Sequence, residues 1–138
     1  MFLRRGGPPA AFRMVVGLGM DVFEVSRMER ALREGDSSFE HALFTDDEIA
    51  YCRRQQDPAA HYAARFALKE AVFKALALGD ATGASWRSVE LCVTPGGPPS
   101  VVLHGPLKDL ADRKGIVRVL ASFSRTRGLV AASAVLES

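Results

Sequence analysis

Four charged residues interrupt an otherwise apolar segment at residues 57–79, DPAAHYAARFALKEAVFKALALG. The four are Arg65, Lys69, Glu70 and Lys74. Side chains of this kind are almost never fully buried unless they are paired. One interpretation is that they reach solvent, with Glu70 and Lys74 forming a surface pair one helical turn apart. The other is that they line a site for an anion, with or without a metal ion. The residues alone leave both interpretations open.

The element that must position these charges is a helix. Asp57 suits the N-cap, Pro58 suits the first helical position, and Gly79 suits the left-handed turn after the last. Between them lie good helix formers whose apolar side chains point in nearly every direction on a helical wheel. A helix that is apolar all round is a buried helix, so this segment is predicted to form the centre of the domain.

A second candidate acidic residue, Asp21, ends the short apolar strand predicted at Val15–Val22. Gly17 and Gly19 within that strand allow another backbone to approach closely. An acidic residue in this place is often only a turn former. Asp21 therefore becomes a candidate site residue only in combination with other segments.

The remaining elements follow from capping and alternation. Ser26 with Glu29 and Thr45 with Glu48 read as two capping boxes that open helices, and Gly35 closes the first of these helices. Strands at 86–94 and 100–104, a helix at 106–114, and strands at 117–124 and 129–137 complete the chain. The order β-ααα-ββ-α-ββ predicts an α+β domain of two related halves.

Composition narrows the class of protein. The chain has 138 residues and a net charge of +2, which fits one domain and gives no argument for nucleic acid binding. Residues 1–13 are expected to be a flexible extension and 14–138 the domain. Two cysteines without a metal or redox motif favour a reducing, cytoplasmic setting. No apolar run approaches the roughly 20 residues of a membrane helix. No nucleotide-binding glycine motif or histidine metal spacing is present.

Taken together, several segments resemble the holo-acyl-carrier-protein synthases, the small phosphopantetheinyl transferases. These segments are GLGMDVFEVSRMERAL at 17–32, the stretch around RFALKEAVFKA within 44–79, SWRSVEL at 85–91, the turn at 97–99 and ASFSRT at 121–126. The resemblance implies the phosphopantetheinyl transferase fold, in which an antiparallel sheet wraps around one long buried helix. It also implies transfer of 4′-phosphopantetheine from coenzyme A to a serine of an apo acyl carrier protein, which depends on Mg²⁺ and releases adenosine 3′,5′-bisphosphate.

The resemblance assigns roles to the charged residues. In the family, one carboxylate of the first strand and one of the KEA helix hold Mg²⁺, and here these are Asp21 and Glu70. Lys69 and Lys74 are expected to neutralise the pyrophosphate, and Arg65 is expected to bind a phosphate, the 3′-phosphate being the favoured one. Asp21, Glu70 and Lys74 are thus the expected catalytic residues. The base that accepts the serine proton is either a metal-bound water or Glu70.

Partners follow from the same resemblance. Members of the family are typically homotrimers with coenzyme A at each subunit interface. Arg27 on the first helix, assisted by Arg30, is expected to dock the acidic carrier protein. Ser124 and Arg125 are expected at the nucleotide end of coenzyme A. Arg125 departs from the family, which usually has histidine there. A catalytically impaired relative, which binds coenzyme A or carrier protein without turnover, is the alternative.

Overall fold

A computed structural model describes residues 13–78 and 85–138. Its elements, in chain order, are β1 (Val15–Glu24), α1 (Val25–Glu34), α2 (Ser37–Leu43), α3 (Asp46–Arg53), α4 (Pro58–Ala75), a 3-10 turn (Trp86–Ser88), β2 (Val89–Cys92), β3 (Ser100–Leu103), α5 (Gly105–Arg113), β4 (Arg118–Thr126) and β5 (Leu129–Glu137). The predicted α+β class is confirmed. The flexible extension predicted for residues 1–13 falls almost entirely outside the described residues, as does Gly79.

Two antiparallel sheets form the β layer. The larger has the strand order β1-β5-β4, and the smaller is the β2–β3 hairpin. Helix α4 packs against β1 and β5, with Ala67, Leu68, Ala71 and Val72 completely buried. The prediction of one long buried helix is therefore correct. Within the described ranges, no helix is long and apolar enough to cross a membrane.

The caps at the start of α4 are confirmed, but its end differs from the prediction. Asp57 is the N-cap and accepts a hydrogen bond from the Ala60 N–H at 3.4 Å, with Pro58 following it. The helix ends at Ala75, and Ala77 takes the left-handed conformation with φ of 54°. Leu78 N–H bonds to the Phe73 carbonyl at 3.2 Å, as in a Schellman motif.

The first half of the chain has one helix more than predicted. The short helix α2 was not predicted, although Phe44 after it is buried as expected. The capping box at Thr45 and Glu48 is confirmed. The one at Ser26 is wrong, because β1 continues to Glu24 and passes directly into α1, whose first N–H, on Val25, bonds to the Gly128 carbonyl.

The strands of the two hairpins also differ in detail from those that the alternation of apolar residues predicted. Residues Trp86–Ser88 form a 3-10 turn instead of the start of a strand. The alternation of Val89, Leu91 and Val93 predicted that all three point into the core; Val89 and Leu91 do, whereas Val93 lies beyond the end of β2 and is 43% exposed. Strand β5 has the predicted bounds, and the β4–β5 pairing is confirmed.

Candidate active site

Backbone contact between β1 and α4 creates the candidate site. A Cβ atom at Gly17 would lie 2.4 Å from the Ala75 carbonyl oxygen, and one at Gly19 would lie 1.9 Å from the Ala71 carbonyl oxygen. Only glycine allows such an approach. Asp21 follows two residues after Gly19, and successive odd positions of a strand share a face, so its side chain is on the side of α4.

Asp21 and Lys74 form the ion pair at the centre of the site. The Lys74 Nζ atom lies 3.1 Å from Asp21 Oδ1 and also donates a hydrogen bond to the Met20 carbonyl at 3.2 Å. The lysine side chain is 55% exposed and the aspartate 17% exposed. An ammonium group in this position is fixed by two oxygen atoms and remains accessible from solvent.

Glu70 and Asp21 line one groove of about 360 Å³. Burial raises the pKa of the Glu70 carboxyl above its usual value, the negative charge of Asp21 raises it further, and Lys74 opposes both. The groove is also lined by the apolar side chains of Phe23, Met28, Phe39, Leu43 and Phe66. The groove thus combines a pair of carboxylates with an apolar surface.

The carboxylates of Asp21 and Glu70 are suitable ligands for Mg²⁺. The two carboxylates repel each other, as the raised pKa of Glu70 indicates, and a divalent cation would relieve that repulsion. In the part of the chain that the structure describes, no group of three or more His, Cys, Asp and Glu residues could hold a metal. A two-carboxylate set is suited to an ion that prefers oxygen, keeps several waters and takes further ligands from substrate phosphates.

Arg27 lines the same groove, with its guanidinium 5.1 Å from the centre of the Phe23 ring. Arg30 is exposed on α1 and does not line the groove. The expected docking residue Arg27 is therefore next to the carboxylates, while Arg30 lies outside the groove.

Lys69 does not reach this site, which corrects its expected contact with the pyrophosphate. Its side chain is 1% exposed, and its Nζ atom lies 2.7 Å from Glu48 Oε1. It also donates hydrogen bonds to the carbonyls of Trp86 and Val89. Burial lowers the pKa of the Lys69 ammonium, and Glu48 opposes this shift. The lysine of the KEA sequence therefore joins α4 to α3 and β2.

Arg65 lines a second pocket, of about 330 Å³. The residue is 3% exposed, its guanidinium lies 4.4 Å from the Tyr51 ring centre, and its Nε atom has no hydrogen-bond partner. His61 lines the same pocket, and burial followed by the charges of Arg65 and Arg125 lowers its pKa. These features give the pocket positive potential.

Ser124 and Arg125 line this second pocket together with Arg65. Arg125 Nη2 lies 2.8 Å from Asp57 Oδ2. The pocket and the Asp21–Glu70 groove have no lining residue in common. Asp21, Glu70 and Arg27 thus line one site, and Arg65, Ser124 and Arg125 line another on a different face of α4.

The sequence did not predict which side chains surround Lys69 and Arg65. Glu48 was recognised only as a capping residue, yet its Oε2 atom also accepts the Leu91 N–H at 3.2 Å. No role was predicted for His61 or Tyr51. The one local signal was the spacing of His61 and Arg65, one helical turn apart.

Comparison with known proteins places the chain in a family. The sequence profile of the 4′-phosphopantetheinyl transferase superfamily matches residues 17–128. A holo-[acyl-carrier-protein] synthase of Syntrophus aciditrophicus is 37% identical over 124 residues, which cover 90% of this chain and 97% of the relative.

Two solved structures have the same architecture. The crystal structure of the holo-[acyl-carrier-protein] synthase from Neisseria meningitidis has a TM-score of 0.83 and 28% identity, covering 91% of this chain and all (100%) of that one. The Helicobacter pylori synthase in complex with coenzyme A has a TM-score of 0.75 and 27% identity, covering 86% and 98%.

The chain therefore belongs to the 4′-phosphopantetheinyl transferase superfamily. Within it, the proteins that it resembles are holo-[acyl-carrier-protein] synthases, which confirms the resemblance found in the sequence.

Proposed function

We propose that this chain transfers 4′-phosphopantetheine from coenzyme A to a serine hydroxyl of an apo acyl carrier protein. The observation that carries the proposal is the groove that Asp21 and Glu70 line together, with Lys74 paired to Asp21. The similarity to holo-[acyl-carrier-protein] synthases and the coenzyme A in the H. pylori structure support the two substrates.

In this reaction the serine oxygen forms a bond to the phosphorus that carries pantetheine. The bond from that phosphorus to the bridging oxygen breaks, adenosine 3′,5′-bisphosphate leaves, and the serine proton passes to Glu70 or to a water molecule. Such phosphoryl transfer depends mainly on positioning and on stabilisation of negative charge. Asp21 and Glu70 would hold Mg²⁺, which supplies Lewis-acid stabilisation of the phosphate oxygens when bound. Lys74 is held by Asp21 and the Met20 carbonyl, and it presents its positive charge to the pyrophosphate.

Carrier-protein docking is assigned to Arg27 and Arg30. Arg27 lies on the groove wall, so an acidic partner that contacts it brings its serine to the carboxylates. Arg30 is one helical turn further along α1 and extends the basic surface. Charges of this kind mainly set the rate of encounter and the choice of partner.

The nucleotide end of coenzyme A is assigned to Arg65, Ser124 and Arg125, with the 3′-phosphate facing the two arginines. In one chain this pocket and the carboxylate groove are on different faces of α4. One coenzyme A would contact both kinds of surface if a second copy supplied one of them, which supports the proposed homotrimer. The outer face of β1 also supports it, because Leu18, Met20 and Val22 are 57–69% exposed.

The proposed location is the cytoplasm. Cys52 and Cys92 are free thiols, as is usual in reducing compartments.

Intact-protein mass spectrometry tests the proposal. Apo acyl carrier protein is incubated with this protein, coenzyme A and Mg²⁺. We expect the carrier to gain one phosphopantetheine, and we expect EDTA to prevent the gain. If several carriers gain nothing while coenzyme A binds measurably, the chain is a binding module and the proposal is wrong. Sedimentation analysis of the same sample checks the trimer.

A further inference from the structure

Asp57 forms an ion pair with Arg125, one of the two arginines that line the second pocket. Asp57 Oδ2 lies 2.8 Å from Arg125 Nη2, while the other oxygen, Oδ1, caps α4 at the Ala60 N–H. The two side chains are 45% and 54% exposed. The carboxylate therefore combines a structural role in the helix with an electrostatic role at the edge of the pocket.

The two arginines of the pocket differ in their partners. Among the described residues, no carboxylate forms an ion pair with Arg65, and its buried Nε atom has no hydrogen-bond partner. The Arg65 Nη1 atom donates a hydrogen bond to the His61 carbonyl at 3.4 Å, so its positive charge has no anionic partner among these residues. Arg125 lines the same pocket, but its charge is compensated by Asp57. An incoming phosphate has to share Arg125 with Asp57 or displace it.

We propose that Asp57 competes with the 3′-phosphate of coenzyme A for Arg125 and so sets the affinity for that phosphate. This inference rests on the proposed function, since it takes coenzyme A as the ligand. The Asp57–Arg125 pair is half exposed, and exposed ion pairs are weak enough to exchange for a phosphate. A doubly charged phosphate is the stronger acceptor for a guanidinium. The pair holds Arg125 near the pocket in the free protein, and ligand binding releases Asp57.

The substitution Asp57→Asn separates the two roles of this residue. Asparagine caps helices as well as aspartate does, so the helix should keep its start while the competing charge is lost. Glu29→Gln is the matched control. Glu29 lines the adjacent groove with Asp57 and Arg125, and no ion pair joins it to Arg125. Its removal changes the net charge equally without freeing the arginine.

Isothermal titration calorimetry with coenzyme A and 3′-dephospho-coenzyme A tests the inference. We expect Asp57→Asn to tighten coenzyme A binding by about two- to fivefold, the range that a weak ion pair supplies, and to leave 3′-dephospho-coenzyme A unchanged. Arg125→Ala should weaken coenzyme A binding, and adding Asp57→Asn to it should give no gain. Glu29→Gln should behave as the wild type, and the melting temperature of Asp57→Asn should match that of the wild type.

Three outcomes would overturn the inference: an unchanged affinity for coenzyme A in Asp57→Asn, an equal gain for both ligands, or a gain that persists with Arg125→Ala. A wild-type protein that does not bind coenzyme A would also overturn it. The carrier-protein assay distinguishes this from failure of the proposed function. If the wild type modifies the carrier but Asp57→Asn has no effect on binding, only the competition is wrong. If coenzyme A binds with the expected pattern and no carrier is modified, only the transfer is wrong.

Discussion

A Cβ atom at Gly19 would lie 1.9 Å from the carbonyl oxygen of Ala71, so β1 and α4 touch through their backbones at this point. The contact is two residues before Asp21 on the strand and one residue after Glu70 on the helix. The distance between the two carboxylates therefore depends on the absence of a side chain at position 19.

Gly19→Ala should damage both stability and transfer. The added methyl group meets the backbone of α4, which cannot rotate away, so the strand must separate from the helix. We expect the free energy of unfolding to fall by about 3 kcal/mol. Gly97→Ala is the control, because a Cβ there has its nearest neighbour at 3.6 Å. Urea denaturation compares the two. A loss below about 1 kcal/mol for Gly19→Ala would show that the contact is adaptable.

Replacement by methionine should reduce stability at Lys69 and the rate of transfer at Lys74, the two lysines of the KEAVFK sequence. Lys69→Met leaves the buried Glu48 carboxylate unpaired, and loss of one partner of a buried pair costs about 3–5 kcal/mol. Lys74→Met removes a charge that is 55% exposed, so stability should change by less than about 1 kcal/mol. Transfer by Lys74→Met should nevertheless fall about 100-fold.

Chemical denaturation and the carrier-protein assay provide the two readouts for these lysine variants. A Lys69→Met protein of wild-type stability would contradict the structural role of Lys69. Unchanged turnover in Lys74→Met would remove Lys74 from the site.

His61 should titrate below the usual histidine range. Burial and the two arginines lower its pKa from the ordinary 6.5. The unfolded chain therefore binds the His61 proton more readily than the folded protein does. The free energy of unfolding keeps its full value above pH 6.5 and falls as the pH is lowered below it. NMR titration of the imidazole measures the shift, and coenzyme A should raise the pKa, since a bound phosphate compensates the arginines. A pKa at or above 6.5 in the free protein would contradict the positive potential of the pocket.

Ala77→Gly should stabilise the end of α4. Ala77 has φ of 54°, in the left-handed region that penalises a Cβ atom. Glycine removes that penalty but increases the entropy of the unfolded chain, so the net gain should be about 1 kcal/mol. The melting temperature measures it. Ala50→Gly, at an exposed position inside α3, is the opposite control and should destabilise. A destabilised Ala77→Gly protein would contradict the left-handed turn.

The elements with local signals could be predicted from the sequence. The start of α4 follows from Asp57 and Pro58, and the capping box from Thr45 and Glu48, because each signal lies within four residues of the atoms it satisfies. The end of α4 was predicted too late, since Gly79 suggested a turn that Ala77 makes instead. Ser26 failed as a cap because β1 passes directly into α1, a consequence of strand pairing.

The candidate site could be predicted only in part, for a related reason. The family resemblance assigned roles to Asp21, Glu70 and Lys74, which the residues alone had left open, and Gly19 indicated the close approach. The burial of Lys69 could not be predicted, because its partner Glu48 is 21 residues away on another helix. The pairing of Arg125 with Asp57 spans 68 residues. Such partners are determined by tertiary packing, which no local pattern describes.

The central claim is that Asp21 and Glu70 act together as the transfer site. The most direct measurement is the rate of phosphopantetheine transfer to apo acyl carrier protein by Asp21→Asn, Glu70→Gln and the double variant, with circular dichroism to verify folding. Each single variant should lose about a thousandfold, the loss of a metal's contribution, and the double variant should lose little more. Folded single variants that retain near wild-type rates with Mg²⁺ would contradict the account.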